Sequence, residues 1–143
     1  MIIPDANLLL YAYDSSSPFH LKAKKWCEKI MTGPDPVAMI PVVLFGFVRV
    51  STHSRIFETP LRIEEAAACV QSWIERPHVM IMEMNQEDVM IALKQLQLTG
   101  VAGNLTSDAQ IAAVAQRLHG EVHTADLDFE RFSGVRHLNP LFD

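Results

Sequence analysis

The sequence predicts an α/β fold in which a mainly parallel sheet lies between two layers of helices. Short apolar runs alternate with longer segments of helical periodicity, and no repeat or low-complexity segment divides the chain. Strands separated by helices pair in parallel within one sheet. The chain has 143 residues, of which 49% are hydrophobic, and that length is enough to bury a core. We therefore expect residues 1–143 to form a single domain.

The first elements of this pattern are a strand and two helices. Residues 2–4 form a short apolar run, and Asp5 directly after it can cap a helix over residues 7–12. A loop rich in serine follows at residues 15–18. The next helix has apolar residues at spacings of four, three and four, which indicates one buried face. That face carries Phe19, Ala23, Trp26 and Ile30, and the opposite face carries Lys22, Lys25 and Lys29.

One segment in the middle of the chain fits two structures. Residues 37–40 read as a second buried strand, but apolar side chains cover every face of residues 41–52. Strand propensity is high there, whereas Pro41 is equally suited to the first position of a helix. As a strand or as a helix, residues 41–52 would have more apolar surface than a single contact with the core could bury. This surplus predicts that part of the segment is a docking surface, together with the apolar stripes of residues 19–30 and 63–74.

The second half of the chain continues the alternation. A helix over residues 63–74 has Glu64 and Glu65 in its first turn. A flexible loop at residues 99–104 leads into a helix that contains Asp108 and ends at Gly120, a residue typical of the position after a helix. The remaining elements are a third strand at 79–82, a helix with the stripe Val89, Ala92, Leu93 and Leu96, a fourth strand at 121–124 and an extended piece at 136–138.

Composition excludes several classes of protein. The formal net charge of −5 argues against a broad, non-specific nucleic-acid surface, although acidic residues around metal ions in a nuclease would give the same bias. Cys27 and Cys69 lack CxxC spacing and the six histidines are scattered, so a zinc or redox site has no support. The longest nearly uncharged apolar stretch, residues 37–48, is shorter than the ~20 residues of a membrane span. We expect a soluble, cytoplasmic protein without membrane contact.

Four aspartates follow predicted strands or begin a helix that can reach the same edge. Asp5 follows the first strand, Asp126 and Asp128 follow the fourth, and Asp108 lies near a helix start. The carboxyl edge of a parallel sheet is where ligands bind, and carboxylates that meet there repel one another unless a cation neutralises them. Oxygen ligands suit magnesium or manganese, which assist displacement at phosphorus. Each aspartate alone is more typical of a helix cap or a turn; their combination favours the metal site.

Five motifs along the chain together match the pattern of a known family. The opening is residues 3–12, IPDANLLLYA, and the sharpest match is residues 103–113, GNLTSDAQIAA. The others are FVRVST at 47–52, TADLDFERF at 124–132 and NPL at 139–141. The motifs occur in order over essentially the whole chain, and they resemble those of PIN-domain proteins, particularly VapC-type toxins. The resemblance implies a PIN-like three-layer α/β/α domain around a central, mainly parallel sheet.

The resemblance also implies an activity and its site. It implies a magnesium-dependent endoribonuclease, with manganese able to substitute, that is the toxic half of a toxin–antitoxin pair. Asp5, Asp108 and Asp126 resemble the metal-binding acids, and Asp128 resembles an accessory acid. The polar residues that orient the carboxylates or the attacking water are matched by Asn7, Thr106 and Thr124, and a residue beside the site is matched by Asn104. The implied partners are RNA (tRNA or rRNA), a second copy in a homodimer, and a VapB-type antitoxin lying along the helices.

One position departs from the family pattern. Many PIN domains carry a glutamate on the helix after the second strand, where this chain has Gly46. This departure leaves the number of metal ions open and keeps an alternative, a PIN module that binds RNA or a partner without cutting. A phosphatase that uses Asp-x-Asp is a third hypothesis, but that chemistry needs the motif after the first strand, whereas Asp126 and Asp128 come late.

Contacts to RNA phosphates are harder to assign from sequence. A charged helix face is more often merely solvated than bound to nucleic acid. Arg49 lies among apolar residues, so we expect it to have a specific polar partner in the site or in the antitoxin. The basic candidates are Lys22, Lys24, Lys25, Arg49, Arg55 and Arg62.

Overall fold

A five-stranded sheet, parallel at every pairing, forms the centre of the protein in the computed structural model, which describes residues 1–142. Its strand order is β3-β2-β1-β4-β5. Each predicted strand is confirmed to within one residue at either end. The strands are β1 Ile2–Pro4, β2 Val37–Met39, β3 Val79–Ile81, β4 Glu121–His123 and β5 Arg136–Leu138.

Six helices flank the sheet and confirm the expected α/β/α arrangement. The core between helices and sheet includes Ile3, Leu8, Val37, Phe47 and Val122, each fully buried. None of the helices within residues 1–142 is long and apolar enough to cross a membrane. The helices are α1 Ala6–Tyr13, α2 His20–Thr32, α3 Pro41–Ser51, α4 Ile63–Ile74, α5 Gln86–Thr99 and α6 Leu105–Leu118.

The ambiguous segment after β2 is helix α3, and Pro41 occupies its first turn. Proline has no N–H to donate and its fixed φ suits the first helical turn. Val43, Leu44 and Phe47 point into the core, whereas Phe45 is 71% exposed. The predicted surplus of apolar surface is therefore confirmed at Phe45, while most of the segment is core.

Helix α5 exists as predicted, but its buried face differs from the apolar stripe. Asp88, Ala92 and Gln95 are buried, whereas Val89 and Leu93 are 46% and 51% exposed. The reason is an ion pair: Arg117 of α6 donates from Nε to both carboxylate oxygens of Asp88, at 2.9 and 3.0 Å. This pair turns the polar side of α5 toward α6 and leaves the apolar side facing outward.

The end of α6 also differs in detail from the sequence expectation. The left-handed residue after the helix is His119, with φ of 52°, and not the glycine that follows it. Gly120 is required for space: a Cβ there would lie 2.7 Å from Cδ1 of Ile3. The glycine therefore allows the chain to enter β4 closely packed against β1.

Candidate metal centre at the carboxyl edge of the sheet

The pairing of β1 with β4 brings the first predicted acid to its hydrogen-bond donor. Pro4 lies opposite His123, so the residues that follow them, Asp5 and Thr124, leave the sheet side by side. The Thr124 hydroxyl donates to Asp5 Oδ2 at 2.8 Å, and the Ala6 N–H donates to Asp5 Oδ1 at 2.7 Å. Asp5 also caps α1, as predicted. Its carboxylate is therefore fixed from both sides.

Thr124 is the centre of a small network behind the site. Its Oγ1 accepts from the Asp126 N–H at 2.9 Å and from Asn7 Nδ2 at 3.4 Å, besides donating to Asp5. Asn7 Oδ1 in turn accepts from the Ala125 N–H at 3.3 Å. A hydroxyl has one proton to donate and two lone pairs, and here all are used. The network holds the chain after β4 against the start of α1.

Three carboxylates meet in front of this network. Asp108, Asp126 and Asp128 each offer an oxygen atom, and these atoms lie within 4.8 Å of one another. Asp108 comes from the first turn of α6. Asp126 caps the 3₁₀ turn Leu127–Arg131 and accepts from the Asp128 N–H at 2.8 Å. A helix and a tight turn thus aim three acids at one point.

The electrostatics of the cluster are those of crowded, partly desolvated acids. Burial raises the pKa of Asp108 to about 7, and the charges of Asp5, Asp126 and Asp128 contribute to the increase. The pKa of Asp5 is also raised by burial, against the opposing effect of its two hydrogen bonds. The ion pairs formed within residues 1–142 lie elsewhere, so no cationic side chain of that range neutralises the four acids.

The donor set fits a hard divalent cation. All the groups offered are carboxylate oxygens, which Mg²⁺ and Mn²⁺ prefer and Zn²⁺ does not. Asp5 lies outside the group of three nearest carboxylates, yet its charge acts on Asp108. A bound cation would remove the mutual repulsion of the four acids.

The remaining residues singled out in the sequence lie on α3 and at the start of α6. Thr106 and Asn104 are exposed at the start of α6, and the Asn104 side chain makes no capping hydrogen bond. A Cβ on Gly46 would lie 3.9 Å from the Cβ of Ala6, which follows Asp5. The position of the missing glutamate is therefore beside the site. Arg49 is exposed in the last turn of α3 and forms no ion pair with residues 1–142.

A chain of hydrogen-bonded side chains that joins α2 to one face of β4 was not predicted. Trp26 Nε1 donates to His123 Nδ1 at 2.9 Å, so Nδ1 carries no proton, and His123 Nε2 faces Glu121 Oε1 at 3.1 Å. Burial lowers the pKa of His123. The bonds fix the end of the strand that carries Thr124. Side chains alternate along a strand, so the sequence could have placed Glu121 and His123 on one face of β4. Their contact with Trp26 could not be predicted, because Trp26 is 97 residues from His123 and no local pattern connects them.

Comparison with known proteins identifies the family. The family model described as PIN domain matches residues 2–135. Ribonuclease VapC33 of Mycobacterium tuberculosis is 37% identical over 141 residues, 99% of each chain. The chain belongs to the PIN-domain family, and its predicted resemblance to VapC-type ribonucleases is confirmed.

Solved structures show the same fold. VapC20 of Mycobacterium tuberculosis, described as a Sarcin-Ricin loop cleaving toxin, superposes with a TM-score of 0.70 at 17% identity, over 95% of this chain and 99% of that one. VapBC2 from Rickettsia felis, bound to a DNA fragment from its promoter, superposes with a TM-score of 0.65 at 18% identity, over 97% and 98% of the two chains. These likenesses confirm the PIN-like α/β/α architecture.

Proposed function

We propose that this protein is a magnesium-dependent endoribonuclease, with manganese able to substitute, and the toxin of a VapBC-type toxin–antitoxin module. One observation carries the proposal: Asp108, Asp126 and Asp128 meet within 4.8 Å, with Asp5 beside them and no cationic side chain of residues 1–142 as partner. The relative at 37% identity is named a ribonuclease, which supports RNA as the substrate.

Each polar residue of the site has a distinct part in this proposal. Asp5, Asp108 and Asp126 hold the ion, and Asp128 assists them. When bound, the ion neutralises charge on the phosphate and activates water. Thr124 fixes the carboxylate of Asp5 and the backbone of Asp126, and Asn7 supports Thr124. Thr106, exposed two residues before Asp108, orients the attacking water.

The proposed partners are RNA (tRNA or rRNA), a VapB-type antitoxin and a second copy of the chain in a homodimer. Exposed apolar side chains on two helices support protein partners: Phe45 of α3 is 71% exposed and Met90 of α5 is 62% exposed. A solved structure of the same fold is a VapBC assembly. We further propose a cytoplasmic protein, since Cys27 and Cys69 are free thiols, as is usual in reducing compartments.

The test of catalysis compares single Asp→Asn variants at Asp5, Asp108 and Asp126. Bulk tRNA and ribosomal RNA are incubated with each RNase-free preparation and Mg²⁺ or Mn²⁺, and new 5′ ends are mapped. We expect turnover to fall by roughly a hundredfold or more, since even groups that only orient metal ligands contribute 10–100-fold. Glu87→Gln, an exposed change on α5, serves as the matched control and is expected to cut normally.

Two results would change the assignment. Near-wild-type cleavage by all three variants would show that these acids are not the site. RNA binding without cleavage in either metal would favour the second candidate, a non-cutting PIN module, for which Gly46 in place of glutamate is the supporting observation.

The homodimer is tested separately by light scattering of the purified chain. We expect the chain purified alone to have a mass of twice 16.1 kDa. In a separate purification from cells that carry the neighbouring gene, we expect its product to co-purify. A monodisperse monomer at high concentration, with no co-purifying neighbour, would contradict the proposed partners.

A further inference from the structure

A groove with a volume of ≈ 570 Å³ lies between α2 and the β4–β5 side of the sheet. Its apolar lining includes Trp26 of α2 and Leu138 of β5, and His123 of β4 also lines it. The strand that supplies Leu138, β5, is an edge strand of the sheet. It is separate from the carboxylate cluster, none of whose residues lines it.

Three lysines line this groove in a single row. Lys22, Lys25 and Lys29 are spaced by three and four residues, so they share one face of α2. All three are exposed, and none forms an ion pair with residues 1–142. Lys24 is on the same helix but does not line the groove. Asp35 is the acidic residue among those lining the groove.

The row of lysines starts at the edge of the sheet that carries the carboxylates. Helix α2 leads into β2, so it runs against the strands and its first turn lies at their carboxyl ends. Lys22 Nζ donates to the Leu141 carbonyl at 3.2 Å, just beyond β5. Lys29 lies seven residues after Lys22, about 10 Å further along the helix. It is therefore near the opposite edge of the sheet, where Asp35 precedes the start of β2.

The groove and the carboxylate cluster also share one strand end. His123, which lines the groove, is followed directly by Thr124, whose hydroxyl holds Asp5 at 2.8 Å. Of the three lysines, Lys22 is therefore the one nearest to this edge of the sheet.

We propose that this lysine-lined groove binds the phosphate backbone of the RNA next to the bond that is cut; this inference rests on the proposed function. The net charge of −5 repels a polyanion even when a cation is bound at the four acids, so cations placed away from the cut are expected to supply affinity. Lysines that neutralise phosphates supply such sequence-independent affinity by releasing counterions. We therefore assign phosphate binding to the three lysines that line the groove, Lys22, Lys25 and Lys29. Lys24 does not line the groove and is not included.

The test measures binding without cleavage. A fluorescein-labelled 12-nucleotide single-stranded RNA is titrated in EDTA, and fluorescence anisotropy is followed over a range of KCl concentrations. The groove variant is Lys25→Gln with Lys29→Gln; Lys22 is left intact because it holds Leu141. The matched control is Lys24→Gln with Lys94→Gln, which removes the same charge from exposed sites outside the groove.

We expect the groove variant to bind roughly tenfold or more weakly at low salt. Its log–log salt dependence is expected to fall by about 1.4, since each phosphate contact to single strands contributes ~0.7. The control is expected to change the dissociation constant less than twofold. Unchanged melting temperatures show that both variants fold.

The outcomes separate this inference from the proposed function. If the groove variant binds like the control, or if wild type does not bind the RNA, the groove assignment is wrong, whatever the cleavage assay with Mg²⁺ shows. If binding depends on Lys25 and Lys29 but no metal supports cleavage, the groove assignment stands and the proposed nuclease activity falls.

Discussion

Asp88 and Asp108 lie on α5 and α6, helices that pack against each other, and both are buried, at 0% and 8% exposure. Their surroundings are opposite. Asp88 receives two hydrogen bonds from Arg117 and one from the Asn85 N–H. Asp108 faces the carboxylates of Asp126 and Asp128 and has no cationic partner within residues 1–142.

The difference separates an acid that is paired within the chain from one that meets only other acids. A buried charge destabilises the fold unless a partner compensates it. The chain itself supplies that partner for Asp88, whereas Asp108 has none within residues 1–142; in the proposed metal site an external cation compensates it. If the proposed metal site is correct, the free energy of unfolding is lowered at the carboxyl edge of the sheet, as is common where a site must bind a ligand.

The largest expected effect comes from removing the partner of Asp88. Arg117→Ala leaves a fully buried carboxylate without its cation, and we expect the free energy of unfolding to fall by about 3–5 kcal/mol. Urea denaturation measures the change. Arg131→Ala, at an exposed site in the turn after β4, is the control and is expected to change it by less than about 0.5 kcal/mol. A loss below about 1 kcal/mol for Arg117→Ala would show that the pair is unimportant.

The opposite sign is expected at Asp108. In EDTA at pH 8, Asp108→Asn removes one of the crowded charges, and we expect the free energy of unfolding to rise by about 1 kcal/mol or more. Asp88→Asn, the same substitution on the neighbouring helix, is expected to lower it. If both variants are destabilised alike, the two acids do not differ in the way described.

The pH dependence isolates the Asp108 contribution. Its pKa of about 7 in the folded protein lies above the ordinary 3.8, so the folded state binds the proton more tightly than the unfolded state. Lowering pH from 8 to 5 in EDTA is therefore expected to stabilise wild type relative to Asp108→Asn, by up to about 1.4 kcal/mol per pH unit. The raised pKa of Asp5 and the lowered pKa of His123 act in both proteins. Parallel pH profiles would contradict the assignment.

The smallest effect is expected at the glycine beside the site. A Cβ at Gly46 meets only the Cβ of Ala6, at 3.9 Å, so Gly46→Ala is expected to raise the free energy of unfolding by about 0.5–1 kcal/mol. Gly120→Ala is the contrasting variant, because its Cβ would lie 2.7 Å from Ile3 Cδ1. Thermal unfolding of the two proteins should give shifts of opposite sign; a loss at Gly46 would mean that the site needs the glycine for shape.

The sequence predicted the strands and the approach of Asp5, Asp126 and Asp128, because carboxyl ends of parallel strands share one edge. It left α3 undecided because apolar side chains cover all its faces. The role of Asp88 was missed because its partner is 29 residues away and an acid in a first helical turn needs no partner. The spacing placed Lys29 on one helix face with Lys22 and Lys25, but it was absent from the phosphate candidates because a charged helix face is more often merely solvated and the sequence does not show the groove.

The central claim, that the carboxylates at the sheet edge form a metal site, is tested most directly by a divalent-ion titration of thermal unfolding. Asp126→Asn keeps an oxygen to cap the turn while removing one charge. In EDTA we expect this variant to melt at or above wild type. Mg²⁺ or Mn²⁺ is expected to raise the melting temperature of wild type, since an ion that binds only the folded state stabilises it, and the advantage of the variant should shrink or reverse. A variant clearly less stable in EDTA, with a wild type indifferent to both metals, would show that these acids are caps and turn residues.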